Sequence, residues 1–144
     1  MDAQASFDET RGVGLGRPGW TLLVSSDRTG GAFELFEEVR TSPSGPPPHV
    51  HRDRDESFYV VEGRYAFTRG TDEIEVGPGQ VVFVPRGTRH HFRTLVAPSR
   101  TLIIIAPAGL EDFLREMGVR IAAGATPLEA MTALSASHDS HPVP

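Results

Sequence analysis

Two histidines two residues apart, His49 and His51, are followed by a carboxylate at Glu56, and a third histidine, His90, comes later in the chain. Residues two apart on an extended strand project to the same side, so both imidazoles face one way. The charged corner Arg52 to Asp55 lets Glu56 swing its carboxylate toward the same point. Imidazoles and a carboxylate converging from a strand and its return are a donor set for a divalent transition metal. Three imidazoles and one carboxylate leave coordination positions open, the mark of a catalytic or ligand-binding ion and not of a structural one. Fe, Mn, Ni, Zn and Cu all suit such ligands, and affinity order does not choose among them.

Alternation extends the site along the strands. If Glu56 points inward, so do Phe58 and Val60; if His90 does, so does Phe92. These three are the expected substrate pocket, an apolar and partly aromatic wall suited to an apolar or aromatic organic substrate. Phe33, Leu35, Phe36, Phe83 and Ile104 are read as core. Tyr59, Glu62 and Tyr65 are the acid–base candidates near the ligands in sequence, although Tyr59 should face away from Glu56. Glu62 reads as a rim carboxylate, Arg86 as solvent-facing, and Arg52 to Asp55 as a solvated corner. His91, next to His90, belongs on the opposite face of its strand.

The elements that must hold these residues are mostly short strands. Residues 20–25, 32–40, 49–51, 57–62, 64–69, 73–76, 81–84, 90–94 and 101–105 are β-type runs separated by Gly, Pro, Ser and Asp clusters, a pattern of sandwiches and closed barrels. After Pro107 the period changes. Leu110, Phe113, Leu114 and Met117 form a helical stripe ending at Gly118. A second short helix starts with Thr126 as N-cap and Pro127 in the first position. The expected organisation is a flexible N-terminus over 1–12, a barrel over 13–106, a helical segment over 107–137, and a loose tail over 138–144 with His138 and His141 solvated.

Composition narrows the chemistry. The chain has 144 residues and no cysteine, so disulfides, thiolate metal sites and a cysteine nucleophile are excluded. All fourteen basic residues are arginine, which excludes Schiff-base chemistry through lysine. A net charge of -5 argues against a nucleic-acid partner. Neither a signal peptide nor an apolar run long enough to span a bilayer is visible, so a cytoplasmic protein without membrane association is expected.

Gly45, His49, His51, Glu56 and Gly63, followed by Gly79, Pro85, Gly87 and His90, resemble the two signature motifs of the cupin superfamily, in particular small single-domain cupins similar to quercetinase-like dioxygenases. One position departs: Thr94 stands where the second motif has a structural Asn, which should weaken a turn and leave the ligands intact. The resemblance implies an all-β double-stranded β-helix, the cupin or jelly-roll barrel, with the C-terminal α-helices packed outside. It also implies one divalent metal on His49, His51, Glu56 and His90, and a homodimer. The activity it suggests is an oxygen-dependent oxidoreductase acting on a small apolar or aromatic enol or phenol, with Glu56 doubling as ligand and proton acceptor. A metal-dependent lyase, isomerase or cyclase is the alternative, and a non-enzymatic metabolite- or metal-binding module is a third.

Overall fold

The structure is a computed structural model that describes residues 10–144. Among these residues nine strands, all paired antiparallel, form one sheet that folds back on itself. They are β1 (Val13–Gly14), β2 (Trp20–Val24), β3 (Glu34–Arg40), β4 (His49–Val50), β5 (Asp55–Arg69), β6 (Asp72–Val76), β7 (Val81–Val84), β8 (His90–Ala106) and β9 (His141–Pro142). Three helices join them: α1 (Ser26–Thr29), α2 (Glu111–Ala122) and α3 (Pro127–Leu134). The two long strands are the spine. β8 pairs with β3, β4 and β5, while β5 also carries β6 and β7.

Sequence had split each long strand in two. The breaks are bends and not ends, because the β5–β8 register shifts around Glu62 and Arg64 while pairing continues on both sides. Bulges of this kind curve a sheet without terminating it. Gly63 makes the bend possible: its φ is +86°, and a Cβ there would lie 2.6 Å from the Val96 carbonyl oxygen. Gly45 has a different reason, since a Cβ would collide with the carbonyl of Phe92. Thr94, expected at a turn, lies inside β8 opposite Tyr65, buried, with its amide donating to the Ser44 carbonyl at 3.0 Å. A β-branched residue suits that extended position, so the departure from Asn disturbs no turn.

Alternation sorts the side chains into two faces. Phe58, Val60, Phe67, Phe92, Ile103 and Ile105 point into the core, whereas Tyr59, Val61, Val81, Phe83 and Ile104 are exposed on the outer face. Of the residues read as core, only Phe36 is fully buried; Phe33, Phe83 and Ile104 are exposed and Leu35 is half-buried. The cause is register: Phe83 and Ile104 both sit opposite Ser57, whose neighbours Glu56 and Phe58 take the inner positions.

Both C-terminal helices form. α2 continues through Gly118 to Ala122, because Gly118 is where the helix meets the β1–β2 loop: a Cβ would lie 3.1 Å from the Gly16 carbonyl oxygen. Its first turn is capped from the barrel. The buried Glu34 carboxylate accepts hydrogen bonds from the amides of Gly109, Leu110 (2.8 Å) and Glu111 (3.0 Å). An anion at a helix N-terminus satisfies otherwise orphaned donors and complements the helix dipole. α3 begins with a capping box between Thr126 and Glu129, with Pro127 at its first turn. No helix among the described residues is long and apolar enough to cross a membrane.

The segment expected to be a loose tail packs. β9 pairs with β4, and Ser140 is fully buried. Asp139 anchors it, its carboxylate accepting from the amides of Arg52 (2.7 Å) and Asp53 (2.9 Å) and from Arg54 Nη1 (2.9 Å). The charged corner, exposed at Arg52 and Asp53, is therefore also a docking point. His138 and His141 are drawn in with it: His138 Nε2 lies 3.0 Å from Glu116 Oε2, and His141 Nε2 lies 3.3 Å from Asp139 Oδ1. The expected flexible N-terminus falls largely on residues 1–9, outside those described.

Candidate metal centre

The fold brings His49, His51, Glu56 and His90 together. One possible ligand atom from each lies within 4.8 Å of every other, and all four side chains are buried. His49 and His90 face each other across the β4–β8 pair, with ring centroids 4.3 Å apart. His51 follows β4 by one residue, and Glu56 projects inward from the second position of β5.

What fixes the rings is the nitrogen that faces away from the site. His49 Nδ1 donates to the Pro47 carbonyl at 2.9 Å, His51 Nδ1 to the Asp139 carbonyl at 2.6 Å, and His90 Nδ1 to the Thr88 carbonyl at 2.9 Å. A carbonyl oxygen only accepts, so each Nδ1 carries the proton. In a neutral ring, Nε2 then presents a bare lone pair. His90 Nε2 lies 3.0 Å and His51 Nε2 3.3 Å from Glu56 Oε1. Lone pairs and a carboxylate at that range repel unless a cation stands among them, either protons or a metal ion. The donor set and the backbone carbonyls behind it match a metal site and its supporting shell.

The electrostatics agree with this reading. Burial, reinforced by the neighbouring His90 and His51 rings, pushes His49 down to about 3, so it is neutral and available as a ligand at pH 7. Burial also pushes against a charge on His51, but the Glu56 carboxylate and Asp139 outweigh it and raise His51. For Glu56, burial opposes ionisation, yet hydrogen bonding to His51 and His90 holds the carboxyl well below its usual range. Glu56 is an anion in this setting.

His49, His51 and Glu56 open into a narrow cavity, whereas His90 is fully buried and does not line it. Phe58 and Phe92 line it, as alternation predicts; Val60 is buried in the core and is not among the lining residues. The opposite wall comes from the helical segment, through Leu110, Phe113, Leu114, Met117 and Met131. The helices thus lie outside the barrel and also cover its metal-side cavity. Sequence reading missed three charged groups here. Arg17 and Arg40 line the cavity, and Glu38 is buried behind Arg40 with Oε2 2.8 Å from Nη2. For Glu38 and Arg40 a signal existed, since both share the inward parity of Phe36 on β3; Arg17, in a loop, had none.

Tyr65 is buried and accepts a 2.6 Å hydrogen bond from Thr101 Oγ1 without lining the cavity. Tyr59 and Glu62 are exposed. His91 lies on the outer face with Glu73 and Arg93, and Arg86 is exposed and paired to Asp55.

An antiparallel barrel with three histidines and a glutamate at one end of its interior defines a class of small β-barrel proteins with a possible metal site. Residues 36–105 match the Cupin domain family (Cupin_2), and the chain belongs to the cupin superfamily. Over 97 residues it is 30% identical to quercetin 2,3-dioxygenase of Bacillus subtilis, covering 67% of this chain and 29% of that protein. Over 60 residues it is 38% identical to an uncharacterised protein of Streptomyces coelicolor, covering 42% of this chain and 54% of the other. The polyketide cyclase RemF of Streptomyces resistomycificus superposes with a TM-score of 0.54 at 28% identity, covering 64% of this chain and 70% of that one. The chain spans about half the length or less of the curated relatives it matches.

Proposed function

We propose that this chain is a metal-dependent, oxygen-dependent oxidoreductase acting in the cytoplasm on a small apolar or aromatic enol or phenol. One observation carries the reading: three imidazole nitrogens with fixed tautomers and one ionised carboxylate converge, and three of the four groups open into a cavity whose other walls are mainly apolar. A divalent metal held by His49, His51, Glu56 and His90 would act as a Lewis acid on a substrate oxygen and make its hydroxyl easier to deprotonate. The chain's own groups do the rest. Glu56 would accept the hydroxyl proton of a substrate acidified in this way. Phe58 and Phe92 hold the ring face, and α2 and α3 keep bulk water from the reacting end. Likeness to a quercetin 2,3-dioxygenase supports the oxygen-dependent reading.

The likeness to a polyketide cyclase favours a second reading, in which the same site polarises a carbonyl for a lyase, isomerase or cyclase reaction and needs no oxygen. A module that binds a metabolite or metal without turnover is the third, and shares the same site.

Elemental analysis of the purified protein beside His51→Ala, with oxygen-electrode assays on enols and flavonoids, tests the proposal. The expected result is near-stoichiometric iron, manganese, nickel or copper, lost in the variant while the melting curve stays cooperative, with oxygen uptake only in the parent. Full metal retention by His51→Ala would overturn the ligand assignment. Turnover with zinc and no oxygen would select the cyclase or lyase reading.

A further inference from the structure

The apolar description of the cavity is incomplete, because its wall contains two guanidinium groups and only one of them is paired. Arg40 donates from Nη2 to Glu38 Oε2 at 2.8 Å and from Nη1 to Ser44 Oγ at 2.9 Å. Its Nε is buried with no partner. Its Cζ sits 5.1 Å from the centre of the Phe92 ring, so the group lies against the same aromatic side chain that walls the cavity. Arg17 makes no hydrogen bond and no close ion pair among the described residues, although the Glu38 carboxylate acts on its charge at longer range, and it stacks over Trp20 with Cζ 5.3 Å from the ring centre. Trp20 is also in the lining. The loop carrying Arg17 is held by the close approach of Gly118 on α2 to Gly16, so the group is positioned by packing.

The formal charges of Arg17 and Arg40 equal those of Glu38 and Glu56, so what marks this wall is a guanidinium with no hydrogen bond among the described residues and a buried N–H with no partner, and not an excess of charge. An unpaired cation and an unpartnered buried N–H in a desolvated, aromatic-lined cavity suit a planar anion. Guanidinium groups bind carboxylates with matched geometry and stack on aromatic faces. We propose that the substrate carries a carboxylate, bound by Arg17 and Arg40, in addition to the oxygen that faces His49, His51, Glu56 and His90. The substrate class is then a small aromatic or apolar acid bearing an enol or phenol group. Glu38 has a negative part in this: it holds Arg40 in place and leaves its Nε free. This inference deepens the proposed function and rests on it for the second, metal-facing end of the substrate.

The two ends can be tested separately. The probes are 3-phenylpropionate and its neutral isostere 3-phenylpropionamide, titrated by calorimetry and by the fluorescence of Trp20, the single tryptophan. Both titrations are run on metal-stripped and zinc-loaded protein. The acid is expected to bind about tenfold more tightly than the amide in both forms, a difference of about 1.4 kcal/mol. Arg17→Gln should bring the ratio to within about twofold while amide binding holds, and Arg17→Lys should recover part of the preference. Acid preference that survives in metal-stripped His51→Ala supports the guanidinium site even if the metal reading fails. Equal binding of acid and amide overturns the proposal. So does a preference seen only with zinc, a preference unchanged in Arg17→Gln, or failure of both probes to bind at about 10 mM, where a merely 1 mM site would be saturated.

Discussion

Asp139→Ala should both destabilise the protein and loosen its metal site. The Asp139 side chain is 8% exposed, and its carboxylate collects two backbone amides and one guanidinium from the Arg52–Arg54 corner. Burial alone would push its carboxyl up, but the amides of Asp53 and Arg52 and the Arg54 charge hold it below the usual range, so it is ionised at pH 7. A hydrogen bond to a charged group contributes about 1.5–3 kcal/mol. Arg52 and Asp53 are exposed residues whose amides water can reach once the carboxylate is gone, which discounts two of the three. Truncation is therefore expected to cost roughly 2–4 kcal/mol, or about 10 °C in Tm for a chain of this size. The backbone carbonyl of the same residue receives the His51 Nδ1 proton at 2.6 Å. Releasing the segment frees that ring, and loss of such an outer partner lowers metal affinity by about 10–100-fold. Thermal melts of the metal-stripped protein and chelator competition for zinc read the two effects, with Asp139→Asn expected in between. A variant melting within about 2 °C of the parent, with unchanged zinc affinity, would refute the clamp.

Two further outcomes follow from the burial pattern. His49 stays neutral in the folded protein down to about pH 3, whereas unfolded histidine protonates near 6.5, so the unfolded state binds more protons as pH falls through 6.5. His49→Asn should therefore remove about 2 kcal/mol of the stability loss of metal-stripped protein between pH 7 and pH 5, measured by urea titration; an unchanged pH slope would contradict the neutral assignment. Tyr59, Val61, Val81, Phe83 and Ile104 make the outer face of β5, β7 and β8 apolar, and among the described residues β7 pairs only with β5. A homodimer formed through this face should give twice the monomer mass in sedimentation, and Phe83→Glu should return it to 15.6 kDa. A monomeric parent would sink the dimer.

The ligand cluster was legible because its signal is local: a two-residue spacing, a fixed corner, and proline and glycine marking the second segment. The β architecture was legible from alternation, although long strands looked like pairs of short ones wherever a bulge or an internal proline such as Pro98 interrupts the pattern. Helix starts were clearer than helix ends. Thr126 and Pro127 announce α3 chemically, whereas Gly118 looks like a stop and is instead the small residue that lets α2 approach a loop. The charged cavity wall was partly legible, since Glu38 and Arg40 share the parity of Phe36. Polarity masked it, because inward acids and arginines look like solvent-facing ones until their partners are known. The docked C-terminal segment was not legible at all. Its bonds run through a backbone carbonyl and the amides of a corner more than eighty residues away, and no periodicity encodes such contacts.

That distance sets an order of assembly. His49 and His90 each give their Nδ1 proton to a carbonyl two residues away, so those rings are oriented as soon as their own turns form. His51 depends on a carbonyl 88 residues downstream. On the ribosome the barrel strands emerge first, while the His51 ring remains free to rotate until residue 139 has been added and has closed the longest loop in the site. The fourth ligand is thus completed late in synthesis. A chain cut short after α3 would lack the carbonyl that orients His51, so any ion at this site should be held more tightly once the polypeptide has been made through β9.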